Sequence, residues 1–170
     1  VRLAAPYLLF DGGIQMVGRS PSSQVPLVGG AKLPDHETGG SFTAESDLID
    51  LRNAVRMQFD RTLLQSSGDL RFLAGTASAP EAQLNDSSGR TTELRAWGDL
   101  ELAAAQVYPV SGAVAVARAG AGKAPDAATS SVLSIRSTGE VPAQTYSVLG
   151  SLTLNADVIR QGGVVRAPFG

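Results

Sequence analysis

A short phrase recurs along this chain and constrains its fold more than any single residue does. Gly40-Ser-Phe-Thr-Ala-Glu-Ser-Asp-Leu-Ile49, Gly98-Asp-Leu-Glu-Leu-Ala-Ala-Ala-Gln-Val107 and Gly150-Ser-Leu-Thr-Leu-Asn-Ala-Asp-Val-Ile159 align without a gap, and Val1 to Leu8 is the same phrase without its first two residues. Each copy runs from a Gly turn through two apolar residues spaced by two, then a small residue, then an aliphatic one three further on. That order predicts a strand with one buried face, a tight corner and the start of the next strand. Such a unit stacks on copies of itself. The first copy is cut short, so residues 1–170 are expected to form one segment of a longer protein.

Period-two alternation continues between the copies. Val55, Met57 and Phe59 alternate with Arg56, Gln58 and Asp60; Leu94 and Ala96 oppose Glu93, Arg95 and Trp97; Val114 and Val116 alternate with Ala113, Ala115 and Ala117. Residues 47–61 are the one stretch with any helical reading, and period two fits them better than 3.6. Gly68-Asp-Leu-Arg-Phe72 is a shorter version of the phrase, which puts its starts at 40, 68, 98 and 150. These intervals predict a coil of about 20 to 30 residues, stacked about 4.8 Å apart as parallel sheet through about seven turns. Gly and Pro interrupt the ladder over residues 18–39, 75–92 and 119–131, which are expected to be loop excursions, either binding surfaces or inert decoration.

Composition narrows the chemistry. Apolar residues make up 43% of the chain and aromatic residues 5%, a mixture suited to tightly stacked strands. A net charge of -2 offers no basic footprint for nucleic acid. There is no cysteine, hence no disulfide framework and no thiolate metal site. The sole histidine, His36, lies between Asp35 and Glu37 on a Pro/Gly-rich stretch, and three consecutive residues point in different directions, so no metal centre is expected there. No Gly-x-Ser-x-Gly elbow occurs. The run from Ala119 to Ala124 has Ala117 and Ala124 where a phosphate loop needs Gly and Ser/Thr, and it reads as a turn. Asn85-Asp86-Ser87 likewise reads as a turn. No catalytic residue and no cofactor is expected.

Two sites of recognition chemistry remain. Trp97, set opposite the inward Leu94 and Ala96, is expected to face outward beside Arg95, where the pair could stack on a sugar ring; the plainer reading has Trp97 covering a corner against a loop. Asp47, Asp69, Asp99 and Asp157 fall at repeat corners. Turn residues are the plain reading, while a polysaccharide-cleaving enzyme would bring acids together in one groove.

Ala105-Gln-Val-Tyr-Pro109, Ser67-Gly-Asp-Leu-Arg-Phe72 and the closing run Gly150 to Gly170 resemble, in this order, the filamentous haemagglutinin family of large bacterial exoproteins. The similarity runs from Gly40 to Gly170 and reaches weakly into the first dozen residues. The resemblance implies an all-β fold, a right-handed parallel β-helix (β-solenoid) with long loop excursions. It also implies export through an outer-membrane partner in two-partner secretion, a location outside the cell or on its outer surface, and a role in adhesion, biofilm formation, haem-related uptake or contact-dependent growth inhibition. The family motifs are structural, so they bring no catalytic residue. The expected function is a non-enzymatic adhesive segment meeting a host receptor, glycan or neighbouring cell. The alternatives are a polysaccharide-active enzyme on the same coil and the shaft of a toxin carrier.

Overall fold

The computed structural model describes residues 1–12, 14–17, 39–76, 91–121, 130–139, 142, 143, 145 and 147–167. These residues form strands and turns and contain no helix. All strand pairs are parallel, and the strands belong to three sheets. The first sheet holds β1 (Arg2–Ala4), β4 (Ser41–Ser46), β7 (Arg61–Ser66), β10 (Asp99–Ala104), β13 (Val132–Ser137) and β15 (Val158–Gly162), in that order. The second holds β2 (Tyr7–Asp11), β5 (Leu48–Arg52), β8 (Asp69–Phe72) and β11 (Gln106–Pro109). The third holds β3 (Ile14–Val17), β6 (Ala54–Gln58), β9 (Thr91–Ala96), β12 (Val114–Arg118) and β14 (Ser151–Asn155).

The chain visits these sheets in rotation, first, second, third, through four rounds. Each strand stacks on the one a round earlier, so side chains line up in columns. Leu3, Ala44, Leu64, Leu102 and Ile135 form one inward column of the first sheet. Leu8, Ile49, Leu70 and Val107 form one in the second, and Val55, Leu94, Ala117 and Leu154 one in the third. Residues from all three sheets share a single buried cluster. Period two is therefore read correctly for β5 and β6, where a helix was the rival: Ile49, Leu51, Val55 and Met57 are fully buried.

The tightest round takes 20 residues, since Ser41 lies opposite Arg61. Longer rounds return to the same register after extra residues, and 18–38, 77–90 and 122–129 lie in the sequence between β3 and β4, β8 and β9, and β12 and β13. Most of the expected loop excursions, with His36, Asn85–Ser87, Gly122 and Lys123, lie outside the described residues; at the end of the expected excursion 75–92, however, Thr91 and Thr92 open β9, where Thr92 is buried. Among the described residues the first sheet has six strands, where about seven turns were expected.

One sequence expectation is corrected. The Gly150 phrase does not repeat the placement of the Gly40 and Gly98 copies. Those two begin in the first sheet, in register through Phe42, Thr62 and Leu100. The Gly150 copy begins in the third, where Leu152 lies opposite Ala115, and only its second half, β15, joins the first. Strand and corner alternate at every side of the stack, so a local pattern does not specify which side it occupies. Between β13 and β14 the described residues hold no second-sheet strand, so β14 follows β13 directly. The vacant slot beside β11 is taken later, where Val107 N–H donates to the Val164 carbonyl and Arg166 N–H to the Val107 carbonyl, at 2.9 and 3.0 Å. In β12 the inward positions belong to Ala113, Ala115 and Ala117, all fully buried, while Val114 is exposed.

The phrase glycines serve different purposes. Gly40 has a φ of 67° with open space where a Cβ would stand, so it supplies backbone freedom. At Gly98 a Cβ would overlap the Asp60 carbonyl in the round below, where Gly98 N–H and Asp99 N–H bond to the Phe59 and Asp60 carbonyls at 3.1 and 2.9 Å. We therefore expect Gly98→Ala to be more destabilising than Gly40→Ala, whose cost is about 1 kcal/mol. Leu64→Ala, in the middle of the first-sheet column, should cost about 2–5 kcal/mol. Urea titrations followed by circular dichroism measure all three; equal midpoints for the two glycine variants would contradict the close approach.

Candidate functional site

A core built by inward columns leaves chemistry to the outer faces. On the second sheet, Leu9, Asp50, Arg71 and Tyr108 share one outward column, and Asp69 and Gln106 the next. Arg71 grips Asp50 with a two-pronged pair, Nε to Oδ1 and Nη2 to Oδ2, both 2.7 Å, and Tyr7 donates its hydroxyl to Asp50 Oδ2 at 2.9 Å. Tyr108 donates to Asp69 Oδ2 at 2.9 Å and Gln106 Nε2 to Asp69 Oδ1 at 3.0 Å. Asp50, Gln106 and Tyr108 are buried. Burial and the bond to the Asp69 carboxylate push the Tyr108 hydroxyl up to about 12, and the bonds to Asp50 raise Arg71 further above its already high ordinary value. This face is a network that pairs most of its polar groups with one another, Gln106 Oε1 being buried without a partner, and it braces four successive rounds.

At the next corner Asn53 adopts a φ of 61° and is buried. Its Nδ2 donates to Asp11 Oδ1 at 2.9 Å, its Oδ1 accepts from Thr76 N–H at 2.8 Å, and its own N–H donates to Thr92 Oγ1 at 3.1 Å. Asp11 also pairs with Arg52, which holds its carboxyl below the usual range.

On the third sheet Arg56, Arg95 and Arg118 stack in one outward column. Arg95 lies 2.7 Å from Glu93, and Arg118 lies 4.0 Å from the same carboxylate. Arg95 thus points outward as its position implies, but Trp97 does not join it. The indole is only 7% exposed, at the corner just after β9, where Trp97 N–H bonds to the Met57 carbonyl at 2.9 Å. Alternation ends at Ala96 with the strand, and counting in twos through a corner assigns the wrong side. No outward Trp97–Arg95 platform forms, and Trp97 occupies the corner its plainer reading gave it.

The four corner aspartates do not converge. Asp47, between β4 and β5, accepts from Ser67 Oγ at 2.8 Å. Asp69 begins β8 and serves the tyrosine network described above. Asp99 Oδ1 accepts from Val132 N–H at 3.0 Å, and Asp157 Oδ2 accepts from Ser131 N–H at 2.7 Å. Three of the four tie one round to another at a turn; Asp69 was missed as a network centre because its partners lie 37 and 39 residues on. Among the described residues no three His, Cys, Asp or Glu side chains are grouped to hold a metal.

The outer face of the first sheet carries a groove of about 370 Å³ crossing β4, β7, β10, β13 and β15. Its walls include Ser41, Thr43, Arg61, Glu101, Ser134 and Arg160. Glu101 is held by Arg136 Nε at 2.7 Å. Sequence reasoning overlooked this feature, because its residues are single polar side chains from strands up to 119 positions apart, brought side by side only by the stacking.

Compared with models of protein families, with curated proteins and with solved structures, the chain matches none.

Tyr108 offers a direct check on the second-sheet network. A hydroxyl raised in the folded state stabilises the fold below its ordinary value of about 10, and that contribution is lost as the pH rises to about 12. Chemical denaturation across that range should show stability falling, with a shallower fall in Tyr108→Phe. The same slope in both proteins would remove Tyr108 from the network.

Proposed function

We propose that this chain is a non-enzymatic structural and adhesive segment of a large secreted bacterial exoprotein of the filamentous haemagglutinin type, built as a right-handed parallel β-helix. The observation that carries the proposal is the rotation of the chain through three parallel sheets. A stack of this kind extends by adding rounds and displays whatever its corners and outer faces carry. Parallel strands joined by a crossover are right-handed in nearly all proteins, which supports the hand. The order of the phrase copies with the Ala105–Pro109 and Ser67–Phe72 motifs supports the family, and with it export through an outer-membrane partner and residence at the cell surface. The non-enzymatic part is supported by the corner aspartates, whose carboxylates are engaged in turns and in the tyrosine network and not gathered in a cleft.

Adhesion is tested with beads coated with the folded chain and applied to epithelial cells and to bacterial lawns. Saturable retention that disappears after unfolding the coat is expected, and deletion of 18–38 or 77–90 should weaken it if those stretches make the contact. Retention no better than that of an albumin coat would contradict the adhesive role. Release of reducing or unsaturated sugar from polysaccharides by the purified chain would contradict the non-enzymatic one.

A further inference from the structure

Among the described residues, the outward arginines are, with two exceptions, engaged. Arg2 pairs with Glu45, Arg52 with Asp11, Arg71 with Asp50, Arg95 and Arg118 with Glu93, and Arg136 with Glu101. Arg166 donates to the Pro142 carbonyl, and Arg56 has an interaction of its own. Among the described residues, Arg61 and Arg160 are the arginines whose guanidinium groups make no ion pair or hydrogen bond. Both are exposed, and both line the first-sheet groove. Arg61 stands opposite Asp99 in the ladder, yet Asp99 spends Oδ1 on the Val132 N–H. Glu101, in the same column as Arg160, is held by Arg136 from the neighbouring column. Glu101 is thus paired and Asp99 accepts from a backbone N–H, while the two guanidinium groups are uncommitted.

We propose that this groove binds an anionic oligosaccharide, with Arg61 and Arg160 each taking one of its acidic groups. The inference rests on the adhesive reading above and names a ligand class for it. Three ladder steps separate β7 from β15, about 14 Å, so the ligand is extended and carries acidic groups spaced along it. A guanidinium fork matches a carboxylate or sulfate with two parallel hydrogen bonds. The hydroxyl of Ser134 between the arginines, and those of Ser41 and Thr43 on β4 beyond Arg61, suit the hydroxyls of a sugar ring. Nucleic acid fits poorly: Phe42, the aromatic residue of the groove wall, is fully buried and offers no ring for a base.

The test is calorimetric titration of the full chain with a short oligogalacturonate, a sulfated dextran oligomer and a neutral dextran oligomer. The double variant Arg61→Gln/Arg160→Gln is compared with Arg2→Gln/Arg52→Gln, which removes the same charge from outside the groove; circular dichroism confirms that both fold. Binding of one or both anionic oligomers is expected, weakening with added salt and falling about tenfold or more in the groove variant but little in the control. The better ligand then identifies the acidic group as carboxylate or sulfate. Equal binding of the neutral oligomer, equal loss in both variants, or no binding by any oligomer overturns the proposal. Coated beads that adhere to cells while no oligomer binds would overturn the groove alone; failure of both would overturn the adhesive reading with it.

Discussion

The structure depends on one constraint, the in-register stacking of parallel strands about 4.8 Å apart. Once Ser41 sits opposite Arg61 and Arg61 opposite Asp99, every residue of a round shares a column with its counterparts above and below. An inward column is then apolar along most of its length, with the buried Thr62 and Thr92 as small polar members. The run Leu3, Ala44, Leu64, Leu102, Ile135 satisfies this with residues of different size, and the narrow Ala115 and Ala117 are flanked in their columns by Thr92, Leu94, Leu152 and Leu154. Corners are equally constrained, because the backbone of one round lies against the next. Gly68 and Gly98 leave room for the carbonyls of Asp47 and Asp60, and Asn53 turns the chain in the left-handed region while its side chain bonds to neighbouring rounds.

Stacking also brings polar groups far apart in sequence to one strand spacing, and the three outer faces use this differently. The second sheet closes its polar groups on themselves: Asp50 between Arg71 and Tyr7, Asp69 between Tyr108 and Gln106. These bonds cross from round to round and act as clasps beside the backbone ladder. The third sheet concentrates cations, with Arg95 and Arg118 sharing Glu93. The first sheet keeps Arg61 and Arg160 uncommitted along a groove. A face with matched partners offers little to a ligand, since binding would first have to break its pairs; a face with exposed, unmatched guanidinium groups offers its hydrogen bonds directly.

Strand positions and their inward faces were legible in the sequence because alternation and Gly corners are local. The Val1, Gly40 and Gly98 copies occupy equivalent places, with Leu8, Ile49 and Val107 in one column through Leu70. Phase was not legible. The Gly68 and Gly150 versions resemble the others because any side of the stack needs a strand followed by a corner, yet they lie in the second and third sheets. The 20-residue round was hidden by insertions of unequal length. Trp97 was misassigned where alternation lapses at a corner, and the aspartate network and the groove escaped notice because their members become neighbours only after register is set.

Thr153 provides the sharpest test of that register. In the structure it lies opposite Val116 in the third sheet, whereas phrase alignment with Thr43 and Glu101 would place it in the first, beside Ser134. The chain has no cysteine, so pairs can be introduced without competition. Adjacent in-register positions lie within disulfide reach. Oxidation of Val116→Cys/Thr153→Cys should yield an intramolecular disulfide by mass spectrometry, and Ser134→Cys/Thr153→Cys should remain reduced. The reverse outcome would contradict the rotation of the chain through three sheets on which this account rests.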